Sequence, residues 1–408
     1  MSEKPAVEGG TPVRLVQLPL VRACYGLEEL QEVVSVFQEG VFCSVDPTAR
    51  KVKALEKAFA EFVGVKHAVA FSSGTTAQHA SLAAIEIEPG DEVIVPPLTF
   101  ISTAYTVLIQ GGTVVFADVD PGTFNLDPAR VREKITPRTR AVIPVHWFGH
   151  PVDMDPLLEL AQEHNLTVIE DCAHAYGGAY RSRPVGTMGA MTCWSFQASK
   201  VITTAGEGGM LTTNDDRLAE RARMIRDHGK SQARESAQPG WVPAYQVVVV
   251  GNNYRMTEIQ AGFGLAQLRK LDTFRTQRKA HTEYLDAALL DVPGLSRQAV
   301  RPDVTLSYAY YPVRFQTGHF RVSIDQISLS LRAEGIGNYP IAKEELCHVH
   351  PIFTSRSGQN GQRYGPGTLP VAEQIARELL ILPMYPDLTR QDLDDVISAV
   401  RKAAAYAV

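Results

Sequence analysis

Short apolar runs alternate with helix-like stretches through the middle of this chain, and that alternation restricts the fold more than any other feature. The runs Glu92–Val95, Thr113–Ala117, Ala141–Val145, Leu166–Ile169, Met191–Phe196 and Gly209–Thr213 are too short for buried helices. Their near-continuous apolar character suits strands covered on both faces, and the helical stretches between them suit crossover connections. The expectation is an α/β fold with a mostly parallel central sheet. Upstream, Leu27–Phe37 has helical spacing with Leu27, Leu30, Val33, Val34 and Phe37 on one face, and Arg50–Val63 repeats the spacing. Beyond Met256 a long helical pattern runs through Ala287, with Ile259, Phe263, Ala266 and Leu271 among its apolar positions. Strand-like Tyr308–Phe315 and further helical segments follow, ending in Leu388–Tyr406. This reads as a large domain of residues 1–270, including an N-terminal segment, and a smaller α+β domain of residues 271–408.

A chain of 408 residues, 45% hydrophobic, can bury a large core without disulfides or a structural metal. Cys24, Cys43, Cys172, Cys193 and Cys347 are scattered without paired ligand spacing, so no metal site is expected and they read as buried thiols. A formal charge of −5 without long runs argues against a nucleic-acid partner and for a small substrate. No apolar run approaches a membrane span, and MSEKPAVEGGTPVR lacks the core of a signal peptide, so a cytoplasmic protein with no membrane partner is expected. Met1–Pro12 reads as disordered and Lys230–Gly240, KSQARESAQPG, as a mobile loop.

The chemistry centres on MTCWSFQASKVITTAGEGGM, Met191–Met210, where Lys200 follows a buried strand and precedes a glycine-rich turn. Ligands bind outside the carboxyl ends of such strands, where a lysine amine can attack a carbonyl. Taken alone, a lysine after a strand is usually a solvated surface residue. The neighbouring run LTVIEDCAHAYGGAY ends its strand on Glu170 and Asp171. A carboxylate there can keep the ring nitrogen of pyridoxal phosphate protonated, or cap the following turn. Ser72, Ser73, Gly74, Thr75 and Thr76 open a helix whose N-terminus suits a phosphate, a use compatible with ordinary capping. Ser195 could add a hydroxyl. Phe100, in PPLTFIST, could stack on a flat ring or belong to the core.

In order, SSGTTA, PPLTFIST, DVDPGTFNLDP, ITPRTRAVIPVHWFGHPVDMD, EDCAHAYGG, SFQASK, GEGGMLTTND, GNNYRMTEIQAGFGLAQLRKLD and LPMYPDLT resemble the DegT/DnrJ/EryC1/StrS sugar aminotransferase family over nearly all of the chain after Cys43. The resemblance implies the aspartate aminotransferase type of fold (fold-type I) and pyridoxal 5'-phosphate bound covalently to Lys200. Asp171 would then pair with the ring nitrogen, His174 would sit near the phenolic oxygen, and Phe100 would stack on the ring. Gly74, Thr75 and Ser195, with Ser73 beside them, would hold the phosphate, and Asn252 of GNNYR would reach it from the neighbouring subunit of a homodimer. Asn252 alone is an ordinary turn residue.

The resemblance also implies glutamate or glutamine as amino donor, with Arg255 a candidate for its carboxylate or else a member of an ion pair. For the acceptor it implies a keto-sugar, nucleotide-linked or free, with a keto-cyclitol as the alternative. Relatives acting on nucleotide-linked keto-sugars often have His-Tyr-Pro where this chain has Asn338-Tyr339-Pro340, a departure that weakens that reading. Tyr339 and His348 are candidate substrate contacts, while His348 and His350 also read as half-buried loop histidines. A dehydratase or a non-catalytic cofactor-binding regulator is the rival class. Lys200 and the absence of clustered cysteines argue against the dehydratase variants. The intact set of Lys200, Asp171, Ser195 and Phe100 argues against the regulator.

Overall fold

The computed structural model describes residues 4–231, 245–356, 361 and 363–407. Most of the segment read as a mobile loop, residues 232–240, lies outside them. The first part of the chain carries helices α1 (Leu27–Glu39), α2 (Lys51–Val63), α3 (Gly74–Ala84), α4 (Ser102–Ile109), α5 (Pro128–Arg132), α6 (Met154–His164) and α7 (Asp216–Arg226). Between them run β1 (His67–Phe71), β2 (Glu92–Val95), β3 (Thr113–Phe116), β4 (Thr139–Val142), β5 (Thr167–Asp171), the short β6 (Ala179–Tyr180) and β7 (Arg183–Pro184), β8 (Met191–Ser195) and β9 (Gly209–Thr213). Among the described residues these form a seven-stranded sheet of order β1-β9-β8-β5-β4-β2-β3. Its interior pairs, from β3 through β8, are parallel, and only β9 runs against its neighbours. Strand alternation sends Val69 and Phe71 of β1 to one face, under α3, α4 and α7, and Ala68 and Ala70 to the other, against α2.

The remaining elements are α8 (Glu258–Leu289), β10 (Leu295–Arg297), β11 (Val304–Thr305), β12 (Tyr311–Phe315), α9 (Ile324–Ala333), β13 (Tyr339–Pro340), α10 (Pro351–Thr354), α11 (Pro370–Ala376), β14 (Leu379–Leu382) and α12 (Arg390–Ala407). Here β10, β12, β14 and β13 make an antiparallel sheet with its own core of α8, α9 and α12 side chains. Helix α8 starts at a capping box of Thr257 and Gln260 and runs unbroken across residue 270. Its first residue joins two helices. The buried Glu258 carboxylate accepts the amides of Arg50, Lys51 and Val52 at 2.7–3.0 Å, capping α2, whose own N-cap residue supplies no side chain.

Several expectations need correction. Residues 4–12 of the segment read as disordered are held to the C-terminal unit: the buried carboxylate of Glu334 accepts the amides of Ala6 and Val13, and Lys402 donates to Thr11 O at 2.7 Å. Cys43 is exposed, unlike the other four thiols. Helix α1 forms where expected, yet its apolar stripe faces outward. Leu27, Leu30, Val34 and Phe37 are 71%, 57%, 43% and 62% exposed, whereas Glu29 and Val36 are buried. The reason is that Glu29 has partners inward, Gln267 and Lys270 of α8, and a helix can bury only one side against one neighbour. No helix among the described residues is long and apolar enough to cross a membrane.

Candidate active site

The parallel strands present their carboxyl ends along one edge of the sheet, and the chemistry gathers there. Lys200 lies in the turn after β8, which is folded back on itself by Ala198 N to Gly206 O and Thr204 N to Phe196 O. Ala205 and Gly206 both have positive φ there, 61° and 126°, so the glycine serves a turn that most residues resist. The Lys200 Nζ is 2.8 Å from His174 Nε2. An ammonium has only hydrogens to give, so the imidazole nitrogen facing it accepts. Burial, reinforced by the Lys200 charge, holds the His174 pKa well below the usual histidine value, and a neutral ring fits that acceptor role.

Asp171 ends β5 and is 8% exposed. Its Oδ2 accepts from Gln78 Nε2 at 2.9 Å and Thr103 Oγ1 at 3.1 Å, and its Oδ1 from the Ala173 amide at 3.0 Å. Gln78 is one helical turn beyond Gly74 on α3, and Thr103 closes the PPLTFIST segment. Neither stood out in the sequence. The available signal was the spacing of four from Gly74, which puts Gln78 on the same side of the helix as the glycine turn.

At the start of α3, Ser73 and Thr76 exchange hydrogen bonds as a capping box, which leaves the amides of Gly74 and Thr75 outside the reciprocal pair. The turn is tightly enclosed. A Cβ on Gly74 would lie 2.8 Å from Ser195 Cβ, and one on Gly209 would lie 2.2 Å from Ser73 O. Glycine is therefore required at both places, and Ser195 is pressed against the helix N-terminus. Such a cradle of amides and hydroxyls fits a phosphate, and Asp171 with Lys200 fits the ring and aldehyde of pyridoxal phosphate.

Phe100 stands 63% exposed at the entrance to α4, its ring free for stacking. Asn252 is exposed, in a loop pinned to its own chain by Ser72 N to Tyr254 O at 2.8 Å. Tyr254 of GNNYR, far along the chain, thus meets Ser72 of its own chain. Arg255 is engaged by Asp227 in an ion pair. Tyr339 lies on the edge strand β13 with its hydroxyl on Glu345. The candidacy of His348 as a substrate contact is corrected by its position. It is fully buried, not half-buried, with Nε2 3.1 Å from Glu373 and its ring against Phe116, so it offers a substrate no face. The neighbouring Cys347 instead holds the PPLTF loop, through its amide to Pro97 O at 2.9 Å and its thiol to Thr99 O.

Residues 24–401 match the DegT/DnrJ/EryC1/StrS aminotransferase family model. The chain belongs to that family. It is a pyridoxal phosphate-dependent sugar aminotransferase by membership, with the α/β fold of its relatives. It is 40% identical over 392 residues to the spore coat polysaccharide biosynthesis protein SpsC of Bacillus subtilis, covering 94% of this chain and 95% of that one. It is 41% identical over 360 residues to the GDP-perosamine synthase of Caulobacter vibrioides, covering 87% and 91%. A solved aminotransferase from Psychrobacter cryohalolentis superposes with a TM-score of 0.86 at 32% identity, covering 95% of this chain and all of the other.

A buried histidine in this part of the fold is expected to make the protein sensitive to acid. His150, in the HWFGH loop after β4, is 1% exposed, and burial lowers its pKa to about 4. The unfolded chain takes up that proton near pH 6.5, so between about 6.5 and 4 it binds more protons than the folded one. The stabilising contribution is complete above pH 6.5 and lost as pH falls through 4, up to about 3 kcal/mol. Urea unfolding at pH 7.5, 5.5 and 4.5 is expected to show that decline, and His150→Gln to flatten it.

Proposed function

We propose that this enzyme transfers the amino group of glutamate or glutamine to the ketone of a nucleotide-linked keto-sugar. The observation carrying the acceptor is the likeness to a GDP-perosamine synthase across 87% of the chain. The departure at Asn338 does not count against it. That side chain is buried and bonded to Ser328 and Ile336, so the residue type there answers to packing.

When bound, pyridoxal phosphate supplies an aldehyde that captures amines and a ring that accepts the electron pair released at the donor's α-carbon. Lys200 would hold the cofactor covalently, and its amine is placed to take up and return a proton at the donor's α-carbon. Asp171, fixed by Gln78 and Thr103, would hold a proton at the ring nitrogen. The α3 N-terminus, with Ser195, would bind the phosphate. His174 faces the amine of Lys200 and orients it, and Phe100 would stack on the ring. A panel of keto-sugar nucleotides, free keto-sugars and keto-cyclitols, scored by product mass, tests the acceptor. Amination of keto-cyclitols alone would establish that alternative.

The working form in this reading is a homodimer with shared sites. Supporting it are the outward apolar stripe of α1 and the exposed Val247, Val248 and Val250 beside GNNYR, surface that a lone chain would leave in water. Ile259, Phe263 and Leu265 of α8 are only partly exposed. With Asn252 reaching the partner's phosphate, mixing inactive Lys200→Ala chains with inactive Asn252→Asp chains is expected to restore activity, because one site per heterodimer is intact. No recovery after proven subunit exchange would refute the sharing.

A further inference from the structure

Helix α8 carries a buried cation that the chemistry above does not use. Arg278 is 3% exposed, and no carboxylate among the described residues pairs with it. Its Nη1 donates to two backbone carbonyls, Ala309 O and Met384 O, each at 2.9 Å, while Nε has no partner. Burial, opposed by nearby Tyr310 and Cys24, lowers its pKa to about 10. A charge kept in the interior without a counter-ion is costly, and an apolar side chain of similar volume often serves stability as well. What an apolar residue cannot do is fix two carbonyls of separate segments in one register. Those segments are the lead into β12 and the turn after β14.

Ala309 precedes Tyr310, a site neighbour that the sequence did not disclose. The Tyr310 ring meets His174 edge-on, with centroids 4.8 Å apart at 65°, and its hydroxyl is 3.4 Å from the hydroxyl of Ser199, the residue before Lys200. Trp147 also packs on the imidazole, with ring centroids 4.8 Å apart. The ring that faces Lys200 at 2.8 Å is thus packed among aromatic side chains that include Trp147 and Tyr310. One of them stands on the backbone that Arg278 fixes.

The geometry points to Arg278 as a positioning residue that, by holding Ala309 on α8, seats Tyr310 against His174 and so fixes the imidazole facing Lys200. This rests on the reading of Lys200 as the cofactor-binding lysine. Arg278→Met keeps the volume but leaves both carbonyls unpaired, and Tyr310→Leu removes the ring while leaving the clasp. Because a misplacement of about 1 Å can cost on the order of 100-fold, each variant is expected to slow the glutamate-driven loss of the cofactor's visible band by about 10- to 100-fold. The apparent KM for glutamate is expected to move far less.

The test is a double-mutant cycle on the holoenzyme, together with the position of the visible band before any donor is added. Residues acting in series give non-additive effects, so Arg278→Met with Tyr310→Leu is expected to be no slower than the slower single variant. Both singles are expected to displace the band in the same direction, and Arg278→Lys, which keeps donors for the carbonyls, to recover to within about threefold. Multiplicative losses, or a folded Arg278→Met enzyme with unchanged rate and band, would overturn the assignment. If Arg278→Met does not fold, Tyr310→Leu decides: unchanged rate and band overturn the assignment, and the predicted loss supports it. Lys200→Ala in the same series separates the two readings, since a retained visible band there would strike at the lysine assignment itself.

Discussion

Replacing Lys200 with alanine is expected to abolish turnover, with a loss on the order of 10^4-fold or more, and to remove the visible absorption of the bound cofactor. The size follows from what one amine does in the proposed scheme. It is the covalent anchor and also the acid and base that moves the proton, and groups acting as a unit lose most of their effect when one member goes. The fold is expected to survive, because Lys200 is only partly buried and, among the described residues, its side chain is hydrogen-bonded to His174 alone. Cofactor affinity distinguishes loss of the anchor from collapse of the site. The cradle at Gly74, Thr75 and Ser195 and the carboxylate of Asp171 remain, so the variant is expected to bind pyridoxal phosphate reversibly, with the absorption of the free aldehyde. A variant that keeps both turnover and the original band would refute the assignment. The same spectrum separates an aminotransferase from a silent regulator, because only the former converts the band on addition of glutamate or glutamine.

The parts of this protein that were legible in its sequence are those fixed by local pattern. Apolar runs marked strands β2–β5, β8 and β9, and strand-end position singled out Lys200 and Asp171, which the structure brings to one edge of the sheet. Residues that enter from elsewhere in the fold were hidden. Gln78 and Thr103 become partners of Asp171 only when α3 and α4 converge on the end of β5, and Tyr310 comes from the C-terminal unit. Periodicity also failed to say against what a face is buried. The stripe of α1 was correctly apolar, but the inward side is the one on which Glu29 meets Gln267 and Lys270. His348 misled for the converse reason. A histidine in a short stretch without clear periodicity, CHVHPIF, looks available, and only the fold places it beside Glu373 and against Phe116.

The Asp171→Asn variant is expected to keep the cofactor bound through Lys200 and the phosphate cradle, while turnover falls by about 10^2- to 10^3-fold. A carboxylate close to a cationic group favours its proton by about one to three pK units, and each unit is a factor of ten in the equilibrium that an amide no longer supports. Geometry limits how the amide can compensate. Gln78 and Thr103 both donate to Oδ2 and the Ala173 amide donates to Oδ1, so an amide at this position must turn its NH2 towards one set of donors. That lost bond costs about 1–3 kcal/mol, a small change in stability beside the catalytic loss. Urea unfolding therefore separates the two effects, since the fold persists while the reaction slows. The pattern across the two half-reactions is diagnostic as well. Both depend on a protonated ring nitrogen, so single-turnover rates with donor alone and with acceptor alone are expected to fall together. Activity within a few-fold of the parent in either half would show that some other acid holds that proton.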